Sequence, residues 1–482
     1  MNSENKAVFP AQPFVPVLFA YIFFLISAVS LFYLTSYSEI GSQNYLFLSL
    51  LFLMFAVSHF ISLWVMELRL VFLSLMIWFC IGFLEIGHSS LTVEANVSVM
   101  KWAVLFLVVI LGIAVALARR KPNAYRRPFF EKLSLFFFLA YIFFVSGLSP
   151  ISQVSFARAA GFLAMALLFH LLILACVSPD LAISRFYSAL WWAANGVVVL
   201  SLLSLLGVLP SYEFLPNRFQ GIFNNPNGLG PWLNLAVMMN TIFFTRRRSI
   251  ARKLFCLLLG AAAIFLLFRC NSRANYVGLF VGLLVLLIYS RQKWLWILFI
   301  GLIGGFLVAY ESYYREPLIS FDWKEHLRLE TRMGATTGRA EKWQISLERV
   351  RENPWYGAGL GAQEEMMERA EGPLTDYGRS RLLFDNSYLN FLYETGYPGF
   401  CLFAAWLLIS LFYVWQNSRS QANTPFGVLS VYALSLALDL CAVSVFESFL
   451  GTAGNIVSLV LWASLGFTAV HPAPKENRPH AH

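Results

Sequence analysis

The sequence has few charged residues and lacks most signatures of a soluble enzyme. Only 13% of its 482 residues are charged and 59% are hydrophobic, whereas a soluble globular protein carries about 25% charged residues. Its six cysteines stand singly, without a CxxC pair or metal-ligand spacing. It also lacks a basic helix or an aromatic sheet motif for nucleic acid. These absences exclude a soluble globular domain and a nucleic-acid-binding protein, and we expect neither a cofactor nor a bound metal.

The hydrophobic residues instead form long uninterrupted blocks, such as Phe14–Thr35, Trp102–Ala118 and Ala189–Leu209. Each block is close to or above the roughly 17 to 20 residues that cross about 30 Å of hydrocarbon. Because lipid offers no hydrogen bonds to the backbone, such blocks form helices. The sequence therefore predicts an all-α integral membrane protein with about 12–14 transmembrane helices. The first block is too long for the apolar region of a cleavable signal peptide, so we expect it to be a helix.

Basic residues cluster in alternate loops, for example at Arg119–Lys121 and Arg246–Arg248. The positive-inside rule places these loops in the cytoplasm, and it places the long segment before the last helices outside, in a periplasm. This periplasmic loop is expected to contain short helices, one of them over Gly338–Asn353. The predicted segments are N-terminal transmembrane helices (1–204), transmembrane helices carrying arginine motifs (205–310), the large periplasmic loop (311–392), and C-terminal transmembrane helices with a cytoplasmic tail (393–482).

The first polar motif, R-F-Q-G-I-F-N-N-P-N-G, begins at Arg218 on the predicted outer face. An arginine beside a rigid turn can bind a phosphate through two N–H groups, and the helix that follows adds donors at its N-terminus. Asn225 and Asn227 fit this interpretation, but they suit equally well a simple turn that leads into a helix.

A second motif, R-C-N-S-R, ends at Arg273 on a short outer turn. Arginines on an outer turn are unexpected, because the positive-inside rule favours basic residues in the cytoplasm. Their presence there indicates that they bind a ligand, and the alternative is that they extend toward lipid headgroups.

Within the large loop, T-G-R ends at Arg339. The run N-P-W-Y-G-A-G-L-G at Asn353–Gly361 favours a packed turn over a nucleotide loop, because no strand precedes it.

Two acidic motifs lie where the large loop returns to the membrane. D-N-S-Y-L begins at Asp385 and E-T-G-Y-P-G begins at Glu394. Both acids lie on the predicted outer face, where the arginines can gather. Asn386 suits the N-cap of a helix that starts near Tyr388, and the same capping role remains open for Asp385.

Taken in order, these motifs resemble the O-antigen ligase and Wzy-type polymerase superfamily over roughly residues 205–470. The resemblance implies an inverting, metal-independent glycosyltransferase of the GT-C type, on the outer face of a bacterial inner membrane. It would move a glycan from undecaprenyl (polyprenyl) diphosphate to an acceptor hydroxyl. The implied roles are diphosphate binding for Arg218, Arg273 and Arg339, catalysis for Asp385 and Glu394, and support for Asn225, Asn227, Asn386 and Tyr388.

One position separates the alternatives within the superfamily. Ligases carry a histidine where this chain has Asp385, which favours a polymerase of O-antigen or exopolysaccharide. The loop's histidine, His326, lies outside every motif. A lipid A-core ligase and a protein O-oligosaccharyltransferase, which share the donor, remain alternatives. A flippase or transporter is a further one, because Glu85 and Asp439 lie in or near apolar spans, and so is a membrane scaffold. The expected partners are the donor, a glycan acceptor, the bilayer and a possible chain-length regulator.

Overall fold

The computed structural model describes residues 44–81, 91–118, 125–209, 218–223, 225–246, 249–270, 272–289, 333–362, 385–421, 423–450 and 454–472. The apolar blocks at 14–35 and 294–310, both predicted to span the membrane, lie outside these residues, as do Glu85 and His326. The sequence also predicts a second short loop helix at 362–370, and all of it after Ala362 lies outside them. Two short strands of two residues each pair antiparallel, with Tyr125 opposite Pro472 and Arg126 opposite His471. The elements are α1 (Asn44–Trp64), α2 (Leu68–Ile81), α3 (Leu91–Ala118), β1 (Tyr125–Arg126), α4 (Phe129–Leu148), α5 (Ser152–Cys176), α6 (Pro179–Leu205), α7 (Pro226–Arg246), α8 (Ile250–Cys270), α9 (Arg273–Tyr289), α10 (Met333–Glu352), α11 (Ser387–Ser420), α12 (Pro425–Val443), α13 (Ile456–Thr468) and β2 (His471–Pro472).

Seven of the described helices are long and apolar enough to cross a membrane: α4, α5, α6, α8, α11, α12 and the Lys101–Ala118 part of α3. Shorter apolar helices accompany them in α1, α2, α9 and α13. The protein is an all-α integral membrane protein, as its apolar blocks predict. The helix α11 consists of two helical stretches that meet at Gly396, whose φ of 66° is not helical. The first stretch begins at Ser387, after the N-cap Asn386, and the second follows Gly396 into the membrane-spanning part.

The helices pack into two compact units that interleave along the chain. Unit 1 comprises Met1–Arg127, Leu163–Ser272 and Gly454–His482, and unit 2 comprises Pro128–Phe162 and Arg273–Ala453. This grouping follows packing, whereas the four segments predicted from the sequence follow the path of the chain through the membrane. The two divisions therefore describe different properties of the molecule.

The core of unit 1 contains packed aromatic rings and a cluster of buried polar side chains around Asn240. Phe72 packs edge-on against Phe186 with 5.2 Å between ring centroids. Most of α7 is buried, and its Asn240 accepts a hydrogen bond from Trp191 Nε1 at 2.9 Å and donates one to Asn195 at 2.7 Å. Buried amides need such partners in a low-dielectric interior. These bonds fix α7 against α6, and so fix the turn that leads into α7.

Unit 2 has a separate aromatic core where α4 meets α11. Phe391 stacks on Phe403 with centroids 4.2 Å apart, and Phe138 stacks on Trp406 at 6.3 Å. The helix α10 packs on α11, and α11 packs on α12. The prediction of a loop helix over Gly338–Asn353 is confirmed, because α10 covers Met333–Glu352. It ends two residues before Pro354, which cannot continue a helix.

Candidate functional site

The Arg218 side chain joins the turn before α7 to the end of α8. Its Nε donates to the carbonyl oxygen of Cys270 at 3.2 Å, and its Nη2 donates to Asn227 Oδ1 at 2.8 Å. Beside it, the backbone N–H of Phe219 donates to the carbonyl of Arg269 at 2.9 Å. The guanidinium is thereby held in one orientation, at the point where α7 begins and α8 ends. We call this group of residues the Arg218 corner.

The two asparagines of this motif have different roles. Asn225 is exposed, and its Oδ1 accepts from the backbone N–H of Asn227 at 2.8 Å, which is a turn contact at the start of α7. Asn227 instead orients the guanidinium. Gly221 has a φ of 62°, and a Cβ there would meet Ser201 Oγ at 2.6 Å, so the turn requires glycine. The motif therefore forms a turn that leads into α7, and the same turn positions Arg218 where it could bind a phosphate.

Arg273 and Arg339 are placed by their helices alone, since the structure does not describe their side chains. Arg273 is the first residue of α9, and Arg339 lies within α10. Further along α9, Gly278 lies against α12, where a Cβ would meet Val443 at 2.3 Å and Asp439 Oδ1 at 2.4 Å. The start of α9 therefore lies at the end of unit 2 where α12 finishes.

Asp385 lies at this same end of unit 2. Its neighbour Ser387 donates from N–H to the carbonyl of Ser444 at 2.9 Å and from Oγ to the carbonyl of Glu447 at 2.6 Å. Tyr388 OH donates to the Cys441 carbonyl at 3.0 Å. These bonds attach the D-N-S-Y-L motif to the residues where α12 ends, and they bring Asp385 to the end at which α9 begins with Arg273.

The Asp385 side chain makes an ion pair with a residue of α10. Lys342 Nζ donates to Asp385 Oδ2 at 2.7 Å, with the two side chains 16% and 29% exposed respectively. Asp385 has a φ of 45°, in the left-handed region that aspartate tolerates better than most residues. The next residue, Asn386, is the N-cap of α11, and its side chain accepts from the N–H groups of Tyr388 and Leu389. The capping role therefore belongs to Asn386, and Asp385 has a different contact.

The N-P-W-Y-G-A-G-L-G segment is a packed turn, as its sequence favours. Ala358 N–H donates to the Tyr393 carbonyl at 3.0 Å, and Gly359 N–H donates to the Glu394 carbonyl at 2.8 Å. In the other direction, Tyr397 N–H donates to the Pro354 carbonyl at 2.8 Å. The segment at 353–362, which we call the anchor loop, thus fixes the end of α10 against α11.

Glu394 lies beneath the anchor loop and is fully buried. Its Oε1 accepts from the N–H of Gly361 at 2.8 Å and lies 3.9 Å from Arg158 Nη1. The helix breaks two residues later at Gly396, whose φ is 66°. The catalytic role of Glu394 stays a prediction. In the structure its carboxylate accepts a hydrogen bond from the anchor loop and so stabilises that loop.

A comparison with protein families matches residues 255–404 to the O-antigen ligase family. The matched range includes Arg273, Arg339, Asp385 and Glu394. This part of the chain is therefore similar to the O-antigen ligase family. The resemblance inferred from the motifs is therefore confirmed at the level of the superfamily, and the match supports a polysaccharide polymerase or ligase role and a glycosyltransferase-like enzyme. No curated protein matches the chain.

Two charged residues that lie beside Asp385 and Glu394 are not part of the sequence motifs. Lys342, inside the matched range, pairs with Asp385. It follows T-G-R by three residues, and that spacing on a helix could have drawn attention to it. Arg158 lies outside the matched range, near the start of the apolar helix α5, where a lone charge indicates a functional or paired group. Both are long-range partners of acids that the motifs do contain.

The chemistry that the described residues offer is that of charged side chains held in fixed orientations. Within the described residues, no group of three or more His, Cys, Asp or Glu side chains is arranged to hold a metal ion. The arrangement offers an oriented carboxylate with a neighbouring ammonium in unit 2. Unit 1 offers an oriented guanidinium at the Arg218 corner, which lies outside the matched range. Such groups can bind an anion and accept a proton from a hydroxyl.

Proposed function

We propose that the protein is a polysaccharide polymerase that transfers glycan from undecaprenyl (polyprenyl) diphosphate to the hydroxyl of an acceptor sugar, with inversion and without a metal. The observation that carries this proposal is the match to the O-antigen ligase family over residues 255–404, which spans the start of α9, α10 and the D-N-S-Y-L motif. The Asp385 geometry supports it, since an oriented carboxylate at a helix end is suited to receive a hydroxyl proton.

The anionic donor requires positive charge near the membrane surface, because its lipid tail stays in the bilayer. In this proposal Arg218, Arg273 and Arg339 bind the diphosphate. A charge-assisted hydrogen bond contributes about 1.5–3 kcal/mol, and the contribution rises as charge grows on the leaving group. The Arg218 corner supports this role, because the amide oxygen of Asn227 and a backbone carbonyl orient the guanidinium there.

The choice of polymerase over ligase rests on Asp385, which stands where ligases carry histidine. A carboxylate is a weaker base than an imidazole. It can still serve if the bond between sugar and diphosphate is largely broken first, because the acceptor hydroxyl then becomes acidic late in the reaction. A carboxylate can also steady an oxocarbenium-like sugar, as in glycosidases. A lipid A-core ligase is the second candidate, because the matching family is named for that activity. A protein O-oligosaccharyltransferase shares the donor as well.

The glycan that accumulates on the carrier lipid when the gene is deleted separates these activities. Single repeat units on the carrier support a polymerase. Full-length chains left on the carrier show a ligase, and unchanged carrier-linked glycan rejects both. Complementation with the wild-type gene is the control. A chain-length regulator would appear as a second gene whose loss changes chain length without leaving single units.

The proposed location is the bacterial inner membrane, with the site facing the periplasm. The prediction follows from the basic loops at 119–121 and 246–248, which the positive-inside rule retains in the cytoplasm. A cysteine introduced at Gly372, in a cysteine-free background, should react with an impermeant thiol reagent in intact cells. A cysteine at Ser249 is the matched control, and it should react only after the cells are broken. The reverse pattern would overturn the topology.

A further inference from the structure

Lys342, which is not part of the sequence motifs described above, forms an ion pair with the candidate catalytic carboxylate of Asp385. Lys342 Nζ lies 2.7 Å from Asp385 Oδ2, and both side chains are partly sheltered from solvent. A charge-assisted contact of this length is stronger than an ordinary surface ion pair. The contact therefore fixes the direction of the Asp385 carboxylate relative to α10.

Both partners of this pair sit on backbone that is itself held in place. Lys342 lies within α10, which the anchor loop ties to α11. Asp385 has a left-handed φ of 45°, and the residues after it are bound to the end of α12 and to their own helix cap. A site on rigid elements keeps its geometry without further ordering when substrate binds. The Lys342–Asp385 pair is therefore an organised contact between two fixed elements.

We propose that Lys342 is a positioning residue for the acceptor hydroxyl and acts through Asp385. This inference rests on the proposed glycosyltransferase function. The ammonium holds Oδ2, and among the described residues Oδ1 has no hydrogen-bond partner, so Oδ1 receives the acceptor hydroxyl. In the transfer, the acceptor oxygen forms a bond to the anomeric carbon, and the bond from that carbon to the diphosphate oxygen breaks. The electron pair leaves with the diphosphate, and the hydroxyl proton passes to Asp385 Oδ1.

The ion pair also explains how a carboxylate can work beside an anionic donor. A lone negative charge there would repel the diphosphate, whereas the Lys342–Asp385 pair has no net charge. When Asp385 takes the proton, the net charge of the pair rises by one, at the moment when negative charge grows on the leaving group. Lys342 should therefore influence the transfer step more than the binding of the donor.

The test uses the purified full-length protein in lipid bilayers, with lipid-linked repeat units as donor and acceptor. Lys342→Met should lower kcat about 10- to 100-fold, the loss expected for one charge-assisted contact, and should leave KM for the donor within about 3-fold. Lys342→Arg should restore most of kcat, since it returns the charge. In an Asp385→Asn background, Lys342→Met should cause little further loss, because residues that act as a unit are not additive. Arg351→Met, an exposed position on the same helix, is the matched control.

Wild-type kcat in Lys342→Met, or full additivity with Asp385→Asn, would overturn the inference. So would a failure of Lys342→Arg to recover activity in a folded protein. If Lys342→Met does not fold, Lys342→Gln takes its place, since its amide can still bond to Asp385 without the charge. A folded Gln variant with normal kcat overturns the inference, and a slow one supports it. A wild-type protein that transfers no glycan from the lipid-linked donor would reject the proposed function itself.

Discussion

The Arg218 corner and the Asp385 motif fix their charged side chains in opposite ways. In unit 1, Arg218 donates to a backbone carbonyl and to the Asn227 amide oxygen. In unit 2, Asp385 accepts from an ammonium at 2.7 Å. These two acceptors are neutral, so they orient the guanidinium without themselves cancelling its charge. An ionic partner orients a carboxylate and cancels its charge, so the pair adds no repulsion toward an anion. A group that binds an anionic donor needs an oriented positive charge, and a group that binds the acceptor beside that donor needs an oriented carboxylate that does not repel it.

The largest expected effect comes from removing the charge of Asp385. We expect Asp385→Asn to lower the transfer rate about 10²- to 10⁴-fold, the usual contribution of general base catalysis, with donor binding largely intact. Asparagine keeps the size of the side chain and tolerates the left-handed backbone, so the protein should fold. A purified assay at saturating donor, with a separate measurement of donor binding, tests this.

Asp385→His tests in the same assay whether another base can replace the carboxylate, because the resemblance places a histidine at this position in ligases. We expect it to keep more activity than Asp385→Asn. A fully active Asp385→Asn enzyme would leave Asp385 with only its contact to Lys342. The remaining acid from the motifs would then be Glu394, despite its burial.

A smaller loss is expected when the Arg218 fork is replaced by a point charge. Arg218→Lys should lower activity about 10- to 100-fold, since lysine cannot reproduce two directed N–H groups. The loss should fall mainly on the affinity for the diphosphate donor. Arg252→Lys, an exposed arginine near the start of α8, is the control and should be normal.

Asn227→Asp tests whether the neutrality of the Arg218 partner matters. The aspartate would keep the contact that Asn227 makes at 2.8 Å, but it would cancel the charge of the guanidinium. We expect weaker donor binding with normal protein levels. If donor affinity is unchanged in both Asn227→Asp and Arg218→Lys, the diphosphate is bound elsewhere and the contrast between the two regions has no functional meaning.

The helices were predictable from the sequence because their cause is local. An apolar block of sufficient length must be helical in lipid, and the block Trp102–Ala118 lies within α3 at Leu91–Ala118. The cap at Asn386 was likewise predictable, since an asparagine before a helical run has few other roles. The order of the motifs was sufficient to identify the superfamily that the family comparison supports.

The contacts of the acids were not predictable, because they depend on packing between distant segments. Lys342 and Asp385 are separated by 43 residues in the chain, and their contact depends on the register of α10 against α11. The burial of Glu394 depends on the left-handed Gly396 and on three glycines of the anchor loop with positive φ. Periodicity cannot detect such close approaches, so an acid expected near the interface proved to be buried.

A modest loss of stability is expected from adding a methyl group at Gly359 in the anchor loop, where it would clash with neighbouring side chains. A Cβ there would lie 2.1 Å from Ser149 Oγ and 2.7 Å from Ser155 Oγ, on a backbone with φ of 97°. Gly359→Ala should therefore destabilise unit 2 by about 1–3 kcal/mol and loosen the end of α10. Thermal unfolding in detergent measures this. Gly196→Ala, where nothing lies within 4 Å, is the control. An unchanged melting temperature for Gly359→Ala would show that the anchor loop can shift without cost.

The smallest effect is expected at Asn386, where capping and substrate support can be separated. Its side chain accepts from two N–H groups at the start of α11, and replacing such a cap with alanine costs about 1 kcal/mol.

Asn386→Asp should keep the cap and the stability, and Asn386→Ala should lose activity only as far as it loses stability. The comparison of kcat per folded molecule with the melting temperature tests this. A stable Asn386→Ala protein that transfers glycan far more slowly would place the Asn386 amide in contact with substrate, because a cap acts on activity only through the helix that it begins.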